Sequence, residues 1–183
     1  MNAKRTPKLG EENLKRDEEI LLHAGNIFDY QNPLELWKYI KRVTESKRKI
    51  KIKFIGTVAP AIKNSLNDLG LSNQVEYVGF LSYSEMIAEL YNADYLMVCA
   101  SEPRHVPGKL FEYLRTRKPI IAFGDGNAEI KQILTDANAG MLFNYSQDGH
   151  EFFETASKFS TDLSYIKQFD RREIAHQLAT IMN

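Results

Sequence analysis

Short runs of apolar, β-branched and aromatic residues alternate along the chain with longer segments whose apolar positions recur three or four residues apart. The short runs predict strands at Ile20–His23 (ILLH), Ile50–Ile55 (IKIKFI), Val75–Val78, Tyr95–Cys99 (YLMVC), Pro119–Phe123 (PIIAF) and Met141–Phe143. The longer segments predict helices over Pro33–Glu45, Ala59–Leu69, Ser82–Tyr91, Gly108–Arg115 and Asn127–Asp136, with two more near Gly149–Lys158 and Arg171–Met182. Helix starts are signalled by Asn32-Pro33, by Ser82 with Glu85 three residues on, and by Asn127.

Strand–helix alternation of this kind implies an α/β fold: a Rossmann-like, doubly wound, mostly parallel six-stranded sheet with helices on both faces and right-handed crossovers. In the commonest strand order of that class the first and fourth strands are neighbours, and ligands bind outside their carboxyl ends. The loops expected to line a site are therefore AGNIFDYQN, residues 24–32, and ASEPRHVPG, residues 100–108. Each carries a glycine at which backbone can approach a ligand closely.

Composition narrows the class. The chain has 183 residues, 43% apolar and 26% charged, which suits one domain with a proper core over residues 20–183. Residues 1–19 are polar and read as a lead-in or linker remnant; lacking an apolar stretch, they do not resemble a secretory signal. Basic and acidic residues balance at 24 each, so no global charge draws the chain to nucleic acid. The one cysteine, Cys99, excludes an internal disulfide framework and fits a reducing compartment. No stretch approaches the ~20 apolar residues of a membrane span.

The candidate chemistry centres on Lys109. A cation in the first turn of a helix is disfavoured by the helix dipole by roughly 0.3–1 kcal/mol. Gly108 just before it leaves backbone N–H groups free to hold an anion, and a bound diphosphate would offset that penalty. Pro107 stiffens the approach. Glu112 lies on the same helix face and suits the vicinal hydroxyls of a ribose, while Leu110, Tyr113 and Leu114 form the core-facing stripe. The same Lys109 and Glu112 also fit a surface ion pair of little energetic consequence.

The stretch ADYLMVCASEPRHVPGKLFEYLRTRKPIIAFGDGNAEIKQIL resembles the C-terminal, donor-binding domain of two-Rossmann (GT-B) glycosyltransferases, and more narrowly the retaining family 4 group. Matching pieces continue in order over nearly the whole chain after residue 19: LLHAGNIFDYQNPLEL, KIKFIG, VEYVGFLSYSEMIAELYNAD, NAGMLF and YIKQFDRREIAHQLATIM. The resemblance implies half of a metal-independent enzyme with no cofactor. Its donor substrate would be a nucleoside-diphosphate sugar. Its saccharide or lipid-linked acceptor would be held through an N-terminal domain that is missing here. It also implies cell-envelope polysaccharide synthesis in the cytoplasm, with peripheral association of the full-length enzyme at the cytoplasmic face of the membrane. By position, Glu112 matches the ribose-binding glutamate, and Val106, Pro107, Gly108, Lys109 and Leu110 match the loop whose backbone amides hold the diphosphate. Gly25 and Asn26 match the turn beside the phosphates, Phe80 and Leu81 the base-reading segment, and Glu102 the carboxylate that contacts the donor sugar. Glu102 and Lys109 are the catalytic candidates.

The chain departs from the family pattern in two places. Nine residues separate Glu102 from Glu112 where the family has seven, and Tyr30, Gln31 and Asn32 stand where a phosphate-directed Arg or Lys is common. Phosphate charge would then rest on Lys109, with Arg104 in the same loop. Among other residues, His23 and Cys99 read as packed strand ends and Trp37 as core. His105 lies in the site loop without a second His or Cys to suggest a metal. The basic stretch KYIKRVTESKRKIKIK, residues 38–53, has two readings, a contact for an anionic membrane or polyanion and, favoured here, a solvated face plus an edge strand defended by lysines. No G-x-G-x-x-G follows the first strand, which argues against a dehydrogenase. A non-catalytic binding or regulatory module of the same fold is the alternative reading.

Overall fold

The computed structural model describes residues 17–46 and 48–169. Six strands are formed: β1 (Glu19–Ala24), β2 (Ile50–Ile55), β3 (Val75–Gly79), β4 (Tyr95–Cys99), β5 (Ile120–Phe123) and β6 (Gly140–Phe143). All pair in parallel, in the order β3-β2-β1-β4-β5-β6. Helices α1 (Leu34–Glu45), α2 (Pro60–Asp68), α3 (Tyr83–Asn92), α4 (Lys109–Thr116), α5 (Ala128–Asp136) and α6 (His150–Thr155) follow the strands in turn, and a short α7 (Leu163–Ile166) comes last. The expected helix over Arg171–Met182 and nearly all of the lead-in lie outside the described residues.

Strand side chains alternate between two cores, one on each face of the sheet. Leu21, Ile52, Phe54, Met97, Cys99, Ile121 and Phe123 point to the face covered by Trp37, Ile62 and Phe152 of α1, α2 and α6. Leu22, Ile55, Leu96, Val98, Ile120 and Ala122 point to the face covered by Leu90, Leu114 and Ile130 of α3, α4 and α5. Burial on both faces is the reason β1, β4 and β5 are nearly continuous in apolar residues, whereas β2 alternates its apolar residues with Lys51 and Lys53. Trp37 is fully buried, and its indole N–H donates to Asn32 Oδ1 at 2.8 Å. Full burial of one such aromatic stabilises by roughly 1.5–3 kcal/mol relative to leaving it exposed.

Two helix starts carry the predicted caps, whereas α1 begins after Pro33 without a side-chain cap. Ser82 and Glu85 close a capping box at α3, and Asn127 Oδ1 accepts from Ile130 N at 3.0 Å at α5. One expectation is corrected. β2 is not an edge strand; it lies between β3 and β1. Its lysines are balanced from neighbouring elements, Lys51 by Glu76 on β3 at 2.6 Å and Lys53 by Glu89 on α3 at 2.8 Å. Earlier in the same basic stretch, Lys38, Lys41, Arg42 and Arg48 pair with Glu35, Glu45, Asp148 and Glu19.

Candidate functional site

β1 and β4 are neighbours, in register Leu21 to Tyr95 and Leu22 to Leu96, so the loops that leave their carboxyl ends open side by side. Between them lies a cleft of about 210 Å³ lined by His23, Gly25, Asn26, Tyr30, His105 and Lys109 among others. This is where the strand order reverses.

The wall from β1 is tied to its surroundings by backbone and side-chain bonds. Gly25 N donates to Ile55 O at 2.8 Å, and Asn26 Oδ1 accepts from Thr57 N at 3.2 Å. Gly25 has φ +132, a conformation L side chains rarely adopt, yet a Cβ there would meet no protein atom within 4 Å. Glycine is thus required by the backbone, and it faces open space. Tyr113, fully buried on α4, accepts from Ala24 N at 2.8 Å through its hydroxyl, joining α4 to the end of β1. Gln31, in the position where a cation was expected, is buried. Its Nε2 donates to Cys99 O at 2.8 Å and its Oε1 accepts from Phe28 N at 3.1 Å, so it braces both loops. Burial pushes the Cys99 thiol up to about 12, which leaves it protonated and unreactive.

The opposite wall is the loop from Ala100 to Gly108. Tyr145 anchors its start, donating to Ala100 O at 2.8 Å. Asn127 holds its middle: Nδ2 donates to Glu102 O at 3.0 Å and to His105 O at 2.9 Å while Oδ1 caps α5. Only 1% of Asn127 is exposed, and both its polar atoms are satisfied. The sequence offered Asn127 only as a helix cap. Its clamp on the loop depends on contacts 22 and 25 residues away and leaves no local signal.

At the start of α4, Leu110 N donates to Pro107 O at 2.9 Å and Phe111 N to Gly108 O at 3.2 Å. Leu110 is fully buried, so its amide belongs to the turn rather than to a ligand. Pro107 has no N–H. Among the described residues no backbone partner is found for the N–H groups of Val106, Gly108 and Lys109. A Cβ on Gly108 would meet nothing within 4 Å, so the approach to these amides is open. Lys109 lines the cleft, with Nζ 3.0 Å from Glu112 Oε2 and 3.2 Å from Met86 Sδ on α3. Amides without a backbone partner and the ion pair weighed from the sequence therefore stand side by side.

The remaining sequence candidates are spread around this corner. Phe80 is 80% exposed and Leu81 partly buried, on the approach to α3, the helix whose Met86 touches Lys109. Glu102 is exposed, and its backbone carbonyl accepts from Asn127 Nδ2 and His105 N. His105 Nδ1 lies 3.0 Å from Ser101 Oγ. His23 does more than pack. Its Nδ1 lies 3.0 Å from Met97 O, which as a carbonyl accepts, so Nδ1 carries the proton. Its Nε2 is buried without a hydrogen-bond partner; the backbone of Asn26 is close enough to influence the ring but makes no bond of ordinary geometry. Burial, the largest influence, holds the imidazole below its ordinary range and hence neutral. Among the described residues no three His, Cys, Asp or Glu stand together as metal ligands, and no helix is long and apolar enough to cross a membrane.

Comparison with known proteins adds an independent finding. Residues 5–172 match the family described as glycosyl transferases group 1. Among solved structures, HepE from Anabaena in complex with UDP superposes with a TM-score of 0.70 at 16% identity, over 91% of this chain and 49% of that one. Sucrose-phosphate synthase from Thermosynechococcus elongatus gives 0.67 at 16% identity, over 93% and 46%. The C-terminal domain of the group 1 glycosyl transferase LpcC from Francisella tularensis gives 0.57 at 19%, over 81% and 78%. The chain thus spans about half the length of the first two. The comparison with curated proteins gives no match. At these identities the solved structures speak to the fold, which is that of the C-terminal domain of a GT-B glycosyltransferase. The family match runs through both walls of the cleft and through α4, and on that match the chain belongs to the group 1 glycosyl transferases.

Proposed function

We propose that this chain is the nucleotide-sugar-binding half of a retaining glycosyltransferase that moves a hexosyl group from a nucleoside-diphosphate donor to a saccharide or lipid-linked acceptor. The observation that carries the reading is the start of α4. There the unpartnered amides of Gly108 and Lys109, the Lys109 ammonium and the open approach over Gly108 meet at the cleft between β1 and β4. Amides and an ammonium fixed at that point stabilise the charge that develops on a leaving diphosphate as the glycosidic bond breaks. Glu112 then takes the ribose hydroxyls, the Phe80–Leu81 segment the base, Gly25 and Asn26 the far side of the phosphates, and Glu102 the donor sugar. The chemistry needs neither a cofactor nor a metal. The acceptor is held by a second domain, and the whole enzyme works on cell-envelope polysaccharide at the cytoplasmic face of the membrane.

Two similar structures bear on the donor: HepE in complex with UDP and in complex with UDP-glucose. Calorimetry of the chain with UDP, GDP, ADP and UDP-glucose tests the reading. One-to-one binding of at least one nucleotide, weakened in Lys109→Ala, is expected. No heat of binding with any of them at several millimolar overturns it. A specific observation favours the second reading, a non-catalytic module: Lys109 is closed onto Glu112, and Gln31 is committed to backbone where a phosphate-directed cation is common. That reading expects no nucleotide binding.

A further inference from the structure

The turn after β1 carries two aromatic side chains that the core does not bury. Phe28 and Tyr30 are 50% and 62% exposed, and their rings stack 5.8 Å apart at an interplanar angle of 8°. Large apolar side chains kept in solvent and held against each other mark a contact surface. The pair stands between two hollows and lines both. One is the cleft that holds Lys109; the other is a second hollow of about 410 Å³ bounded by Asn26, Ile27, Asp29, Thr57, Ala59 and Pro60. A volume of that order lies within the range of small-molecule sites, roughly 300–1,000 Å³.

The two hollows differ in charge. The cleft has the Lys109 ammonium and two imidazoles. The second hollow is lined by no Lys, Arg or His, and the one charged group in its lining is the Asp29 carboxylate. An anionic phosphate is repelled there. Asp29 Oδ1 accepts from Ala61 N at 3.3 Å, and among the described residues no hydrogen bond falls on Oδ2. The exposed Thr57 adds a hydroxyl. Flat apolar faces, a free carboxylate oxygen and a hydroxyl are the complement of a neutral ring with C–H faces and hydroxyl edges.

We propose that this second hollow is a saccharide subsite, in which a neutral pyranose packs on the Phe28–Tyr30 pair and donates a hydroxyl hydrogen bond to Asp29. The placing of that ring next to a nucleotide sugar rests on the transferase reading of the cleft.

The test is a titration of the isotope-labelled chain followed by amide NMR shifts, using the methyl α- and β-glycosides of glucose, galactose and mannose, and UDP separately. Saturable shifts at Asn26, Asp29 and Thr57 are expected with at least one glycoside. Tyr30→Ala weakens that binding about tenfold, the scale of one lost aromatic contact. Thr57→Trp, which fills the hollow from its far wall, abolishes it. Unchanged core amides, such as that of Ile121, confirm that each variant is folded. The proposal is overturned if no glycoside moves these amides, or if both variants bind as the original chain does. Shifts with UDP but with no glycoside remove the subsite alone. Shifts with a glycoside but not with UDP remove the nucleotide reading and leave the subsite standing.

Discussion

The ammonium of Lys109 lies 3.0 Å from the carboxylate of Glu112, one turn along α4 and at the lip of the cleft. Each is partly exposed, so the pair contributes little to stability, about 0.2–0.5 kcal/mol. Under the proposed function its importance lies in how it would respond to a ligand: an incoming diphosphate would take the ammonium and a ribose the carboxylate.

Lys109→Ala is accordingly expected to lower UDP affinity by roughly 10–100-fold while moving the unfolding midpoint in urea hardly at all. Calorimetry beside a urea titration checks both parts. Glu112→Ala tests the proposed ribose role. The original chain should prefer UDP to 2′-deoxy-UDP, and the variant should bind the two equally.

Gly108 differs from Gly25 in that its backbone angles, φ −56 and ψ −26, suit any residue. Gly108→Ala should therefore fold as well as the original or better, by about 0.4–1 kcal/mol from the unfolded chain's lost freedom. The added methyl projects into the open approach to the amides, and UDP affinity is expected to fall at least about tenfold. A thermal melt that is unchanged or raised, together with weakened binding, is the signature.

Asn127→Ala removes a helix cap and two donors to the site loop, and a loss of about 2 kcal/mol in unfolding free energy is expected. Asn127→Asp keeps an acceptor for Ile130 N but cannot donate to Glu102 O and His105 O. Amide hydrogen exchange between residues 101 and 108 should accelerate in both variants, while α5 stays protected only in Asn127→Asp.

For His23, burial holds the folded-state pKa below the unfolded value near 6.5. The unfolded chain then takes up a proton that the folded chain refuses. The stability contribution is complete above about pH 6.5 and is lost as pH falls below it, by at most ~1.4 kcal/mol per unit. Urea unfolding at a series of pH values should show this slope in the original chain and a shallower one in His23→Gln. Imidazole NMR spectra at pH 6 are expected to show the neutral ring with the proton on Nδ1.

What the sequence made legible is what local periodicity encodes. ILLH and YLMVC are strands because each residue faces one core or the other, and their adjacency follows from the commonest order of such sheets. Ser82 and Asn127 gave their helix starts because a cap acts within three residues. The lysines of β2 misled because a strand's place in the sheet is set by its neighbours and not by its own residues; Glu76 and Glu89 supply the missing partners. Gln31 and Asn127 were illegible as site residues for the same reason, since their hydrogen bonds cross to other loops. At four residues, α7 is too short to show any period.

The strand ends that frame the cleft are secured before any ligand arrives: Ala24 by Tyr113, Cys99 by Gln31 and Ala100 by Tyr145. The conformational entropy of those turns is surrendered during folding, so a guest molecule need not immobilise them again. Association therefore has a small ordering penalty at the ends of both β1 and β4, and what remains falls on the segment between Ser101 and Pro107, whose middle is fastened by Asn127. The strand ends thus form a preorganised template from which the loop is hung.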